Sequence, residues 1–285
     1  MKKDSSLSYG NWKKLLLDTV RAFPSLWWRI SMISVLTVIM IFGGTALFMQ
    51  IGVLFFKESF ENFMLNIQNG GSIISFTAVL FLFVLWALFV VTFSINGKIG
   101  NLLILKNYVH GKVQNPFKIY FKEAWTYFWR YVMTGLYMLH YVLWPVAIVM
   151  IVVFAITFFL PLELISMIGF VLSALLFIWR GLEVFMSQQF LIEFKKNPKK
   201  SIETSIKVVK GNWWQVLVFF LGTFVLISLG RVLFISPMYI WDEVSILINV
   251  LSSLDFIFSF FVLAPLLISF VYLFMLHLVK LKNIK

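Results

Sequence analysis

Cysteine is absent from the 285 residues, which excludes disulfides, thiolate metal sites and a cysteine nucleophile. Histidine is almost as scarce, with three copies and no carboxylate cluster around them, so no metal-ligand signature forms. Charged residues make up 13% of the chain and acids are the scarcer sign, 12 against 24 Lys and Arg. What fills the sequence instead is apolar: 61% of residues are hydrophobic and the mean hydropathy is +0.94. That leaves no room for a soluble domain.

The apolar residues gather in six long stretches, roughly Ile30 to Phe56, Ile73 to Ile95, Tyr131 to Leu160, Leu164 to Trp179, Trp214 to Ile235 and Phe256 to Val279. A helix needs about 20 such residues to cross the hydrocarbon of a bilayer, and each stretch meets or approaches that length. The fourth is the shortest. It lengthens through Gly181 to Met186 if Arg180 and Glu183 are tolerated near the interface, where long side chains snorkel toward water. The first stretch is too long for a signal-peptide core and lacks an A-x-A site, so it is expected to stay as an anchor.

Every Lys and Arg except Lys57 and Arg231 falls in the N-terminal arm, the 96–130 connection, the 180–213 connection or the tail. The opposite connections carry Glu58, Glu61, Glu163, Asp242, Glu243 and Asp255. Under the positive-inside rule the basic segments are cytoplasmic, which predicts a multi-pass protein of the cell membrane with both termini inside. An anionic leaflet accounts for the basic balance without a polynucleotide, so nucleic acid is not an expected partner.

Three segments share a pattern, an amphipathic stretch closing on an aromatic doublet just before a membrane helix: Leu16 to Trp28, Phe117 to Trp129 and Ile202 to Trp214. Each precedes two apolar segments. The chain therefore reads as three units, about residues 11–95, 115–194 and 197–280, of one interfacial helix plus a transmembrane hairpin. The predicted fold is an all-α polytopic membrane bundle of six transmembrane helices with three cytoplasmic interfacial amphipathic helices. Such units are parallel, which argues against an inverted-repeat transporter plan.

Spacing supports the interfacial helices. Phe117, Phe121, Ala124, Trp125 and Phe128 share one face, with Lys118, Lys122, Thr126 and Arg130 on the other. Ile202, Ile206, Val209 and Trp213 do the same against Glu203, Lys207 and Lys210. Asn115-Pro116 and Asn197-Pro198 each offer an N-cap side chain and a proline at the first helical position. The expected ligands are anionic lipid headgroups of the cytoplasmic leaflet, contacted by Lys118, Lys122, Arg130, Lys199, Lys200, Lys207 and Lys210. Packing of the apolar faces on the bundle itself is the alternative, and both can hold.

Ser201 to Leu217, with Ser205 and the run Val208-Val209-Lys210-Gly211-Asn212-Trp213-Trp214, resembles the membrane domain found beside glycerophosphodiester phosphodiesterases and in related six-helix bacterial membrane proteins. The resemblance implies a membrane domain of unassigned activity. The chain has no room for the soluble phosphodiesterase barrel, so that enzyme's activity does not carry over.

Ionisable groups inside spans are the natural functional suspects, because a charge at mid-helix costs ~2.5–3.5 kcal/mol on insertion scales. Arg180 and Glu183, at i and i+3, can pair as an anchor at the inner boundary or line a polar cavity. Arg231 lies near the outer end of the fifth helix, where Glu163 or Asp255 could answer it. His140 falls among Tyr137, Tyr141 and Trp144, either a buried neutral group held by a hydroxyl or carbonyl or a proton relay. The Asn96-Gly97-Lys98-Ile99-Gly100-Asn101 segment lacks the spacing of a phosphate cradle and reads as a helix stop and turn. Pro145 and Pro265 are expected to kink or loosen the third and sixth helices, and Gly43-Gly44 and Gly169 with Ser173 to serve packing.

No base, nucleophile or metal set converges at one depth, so the chain is expected to be no enzyme and to need no cofactor. Its expected role is to engage lipids or a membrane protein partner at the cytoplasmic face. The alternative is a permease or exporter component for a small apolar or lipid-like solute.

Overall fold

In the computed structural model, residues 12–66, 73–112, 115–159, 163–240 and 264–281 are described, and all regular structure among them is helical. The helices are α1 (Trp12–Asn66), α2 (Ile73–Val109), α3 (Pro116–Lys118), α4 (Phe128–Phe159), α5 (Glu163–Val184), α6 (Ser187–Phe194), α7 (Pro198–Lys210), α8 (Trp213–Ile240) and α9 (Ala264–Leu281). A π turn over Ile119–Glu123 and a 3-10 turn over Ala124–Tyr127 join α3 to α4.

Four segments among the described residues are long and apolar enough to cross a membrane: Pro24–Val53, Leu80–Val109, Phe128–Phe158 and Glu163–Phe194. A fifth is reached if α7 and the start of α8, bent by 96°, form one broken span. The chain is thus built as a multi-pass membrane protein. Six crossings are not reached among the described residues, because the sixth stretch is described only from Ala264 and its apolar part, Leu266–Val279, is short. The fourth span does lengthen past Arg180 and Glu183, to Phe194.

The first predicted elbow is not a separate element. Leu16 to Trp28 lies inside α1, which runs on through Pro24 without a break. The second elbow keeps its cap: the Asn115 side chain accepts from the Phe117 amide at 2.9 Å, and Pro116 starts the helix. Asn197 departs from the expectation, since its side chain makes no capping bond; its carbonyl instead receives the Ser201 amide at 2.9 Å and the Ser201 hydroxyl at 3.0 Å.

Asn96 to Asn101 is helix interior, not a stop and turn. Two glycines there let α1 close on α2: a Cβ on Gly97 would lie 2.3 Å from Thr37 Oγ1, and one on Gly100 would lie 3.1 Å from Ile33. Small residues drive such approach in membranes, where lipid tails already solvate apolar side chains. Gly44 meets Phe89 and Gly169 meets Val153 in the same way, whereas Gly43 has open space around it. Pro145 sits within the continuous helix α4, and Pro265 falls at the second residue of α9.

The α1–α2 and α4–α5 pairs run side by side, α9 lies against α1 and α2, and α7 lies against α4, α5 and α6. The main core forms where the start of α1, the ends of α2, α6 and α9, and the starts of α4 and α8 meet. Leu26, Ile30, Ile33, Ile99, Leu105, Tyr120, Phe190, Tyr272 and Phe274 are almost wholly buried there. This is the end that carries the basic segments.

Candidate functional site at the break in the fourth span

The fourth span is broken where α5 ends at Val184 and α6 begins at Ser187. Met186 holds φ −90° and ψ 0°, a sparsely populated conformation that ends one helix and starts the next. With its amide nitrogen toward the backbone, Gln189 donates to the Phe185 carbonyl at 3.2 Å and to the Met186 carbonyl at 3.0 Å, which also accepts the Phe190 amide at 3.0 Å. Gln188 accepts from the Tyr131 hydroxyl of α4 at 2.6 Å.

A buried carboxylate stands on each side of this break. Glu183 is 2% exposed, and its Oε2 accepts from Arg180 Nη1 at 2.9 Å and from the Tyr141 hydroxyl at 2.7 Å. The Arg180 guanidinium also donates to the Tyr141 oxygen and lies 5.0 Å above that ring. Two donors stand where water would otherwise solvate this carboxyl group. Its backbone is fixed as well: Ser205 Oγ donates to the Glu183 carbonyl at 2.7 Å, and this fastens α7 to the end of α5.

The second carboxylate is Glu193, whose side chain is 6% exposed. Its Oε1 lies 2.8 Å from His110 Nε2, and its Oε2 accepts from the Tyr272 hydroxyl. Lys106 Nζ donates to the carbonyls of Ile192 at 2.5 Å and Glu193 at 2.8 Å, a cationic cap on the last turn of α6. The result ties α2, α6 and α9 together. A further tie runs from α2 to the second elbow: Asn96 Nδ2 donates to the Tyr120 carbonyl at 2.9 Å inside the π turn. Burial pushes the Tyr120 phenol above its usual range, with a smaller opposing effect from the Thr37 hydroxyl, so it stays neutral.

Of the residues singled out from sequence, the structure brings Arg180 and Glu183 together and adds Tyr141. His140 is not buried. It lies on the exposed side of α4, stacked on Trp144 with ring centroids 5.9 Å apart, and no hydroxyl or carbonyl among the described residues encloses it. Arg231 belongs to α8, but its side chain and all of Asp255 lie outside the described residues, and Glu163 is exposed at the start of α5. Lys118, Lys122, Arg130, Lys199, Lys200, Lys207 and Lys210 are all exposed.

Sequence reasoning missed Glu193, Lys106 and Tyr272, and with them the part His110 plays beside Glu193. A signal existed for Glu193: Ser187, Gln188 and Gln189 interrupt the apolar run between two carboxylates. Among the described residues no group of three or more His, Asp or Glu comes together as a metal site would require. Comparison with protein-family models, curated proteins and solved structures finds no match.

Proposed function

We propose that this is a non-enzymatic integral membrane protein whose basic end faces the cytoplasm and engages anionic lipid headgroups or a membrane protein partner. One observation carries the reading. The inward faces of the second elbow and of α7 are consumed by packing, with Tyr120, Ala124, Ser201, Ser205 and Val208 buried, while all seven of their outward cations stay exposed. Cations near an anionic leaflet contribute about 1 kcal/mol each. The alternation of basic and acidic connections supports both termini inside, and the aromatic doublets support six crossings in three units.

Reconstitution tests this. In phosphatidylglycerol vesicles the protein should unfold at higher temperature than in phosphatidylcholine, and the difference should shrink with added salt and when Lys199, Lys200, Lys207 and Lys210 are replaced by Gln. Equal stability in both lipids at low salt overturns the lipid reading.

Transport of a small apolar or lipid-like solute is the second reading, favoured by the cluster of Arg180 and Glu183 with Tyr141 between the fourth and third spans. Solute flux across proteoliposomes that is lost in Glu183→Gln would favour it over the first.

A further inference from the structure

The second elbow sorts into four rows of four-residue spacing, one of which, Ile119, Glu123 and Tyr127, runs from buried to half-buried. Pro116, Tyr120, Ala124 and Phe128 are buried. Phe117, Phe121, Trp125 and Trp129 form the next row and are exposed by 44, 51, 39 and 74%. Lys118, Lys122, Thr126 and Arg130 form the third, also exposed. The split follows from how the elbow packs: rows at four-residue spacing are the ridges that helices lay across one another, and this segment crosses α2. The Tyr120 ridge faces the core, and of the ring row Trp125 also meets α2, its ring centroid 6.1 Å from that of Phe93. The apolar face expected from sequence is therefore divided, with Ala124 and Phe128 turned in and Phe117, Phe121 and Trp125 turned out.

We infer that the Phe117, Phe121, Trp125 and Trp129 row is a wedge inserted into the headgroup and acyl boundary of the cytoplasmic leaflet, with Lys118, Lys122 and Arg130 reading anionic headgroups beside it. This deepens the lipid reading above and rests on it. Two features choose a bilayer as the occupant. The ring row continues from Trp129 through Met133 and Tyr137 onto the exposed face of α4, whose apolar surface has no other solvent than lipid in a spanning helix. The adjoining cation row matches an anionic surface and would clash with a second copy of itself. The third elbow carries less of this device, with an exposed ring only at its end, Trp214. The outward side chains of α7 are Lys199, Lys200, Glu203, Lys207 and Lys210, with no aromatic ring among them, so it can only lie on the surface.

The absence of cysteine makes the test direct. Full-length Phe121→Cys, Trp129→Cys, Thr126→Cys and Glu203→Cys proteins carry an environment-sensitive fluorophore and are reconstituted with lipids bearing shallow nitroxides. Fluorophores at 121 and 129 should shift to the blue, be quenched by the nitroxide lipid and lose iodide quenching. Those at 126 and 203 should keep iodide quenching. All four sites are exposed, so folding is preserved, and unchanged circular dichroism checks it. Iodide quenching at 121 and 129 equal to that at 203 overturns the wedge. So does shielding from iodide without nitroxide quenching, the mark of a second copy or a partner protein. The two readings fail separately: insertion of equal depth in phosphatidylglycerol and phosphatidylcholine keeps the wedge and removes the headgroup preference, whereas charge-selective binding with both fluorophores in water removes the wedge alone.

Discussion

The two ends of this molecule are held by different physics. At the basic end, helices meet through a dense core and through polar ties: Glu183 with Arg180 and Tyr141, Glu193 with His110 and Tyr272, Asn96 with the Tyr120 carbonyl. At the far end Phe42, Leu47, Phe81, Phe154, Phe158, Leu164 and Phe170 are exposed. Close approach there is confined to points such as Gly44 on Phe89, Gly169 on Val153 and the Trp86 indole on Thr45 Oγ1. In the most apolar windows of the four spans only 6 to 17% of residues are buried. Lipid solvates Phe and Leu as well as protein does, so apolar contact alone gives membrane helices little reason to associate. The difference teaches that polar groups and small residues decide where this bundle closes.

The largest expected effect breaks the tightest polar tie. Arg180→Gln leaves Glu183 buried with a single donor and should cost about 3–5 kcal/mol, with Arg180→Gln/Glu183→Gln recovering part of that loss. Unfolding of the three variants in detergent measures the coupling, and additive single effects would show that the pair is solvated.

Next comes the glycine contact. Gly97→Val forces side-chain atoms into Thr37 and should destabilise by about 1–3 kcal/mol. Gly43→Ala, next to the close contact at Gly44 yet with open space around it, should be neutral or gain up to about 1 kcal/mol of helix propensity. Equal losses at both sites would mean that glycine serves flexibility rather than approach.

Ser205→Ala removes one hydrogen bond to the Glu183 carbonyl and should cost about 0.5–1.5 kcal/mol, read as a lower unfolding midpoint. The smallest effects belong to the far end. Phe154→Ala and Phe170→Ala expose no new cavity in protein and should stay within about 0.5 kcal/mol of the parent. A loss of several kcal/mol at either would place protein rather than lipid against that surface.

The helices themselves were legible, because a run of 20 apolar residues has few other fates. Faces were not. Where a span is apolar all round, periodicity holds no information about which side meets protein, and so His140 was expected inside and lies outside. In α7 the charges do mark a face, and Lys199, Lys200, Glu203 and Lys207 are exposed as the pattern requires. On its buried side Ile202 and Val209 lie as the hydrophobic spacing requires, and Ser201, Thr204 and Ser205 add a close fit that such spacing does not reveal. Glycine misled in the same sense: Gly97 and Gly100 read as a turn by soluble rules and act as a contact surface in a membrane helix. The Glu193 cluster joins residues from α2, α6 and α9, and no local pattern could assemble it.

The proposed placement of the basic end inside the cell and the far end outside is tested most directly by thiol labelling in intact cells, with single cysteines placed in this cysteine-free chain. Glu163→Cys should react with a membrane-impermeant maleimide added outside, while Lys122→Cys and Lys200→Cys should react only after the membrane is opened. Labelling of Lys122→Cys or Lys200→Cys from outside, or of all three from the same side, would contradict a bundle closed at its cytoplasmic end.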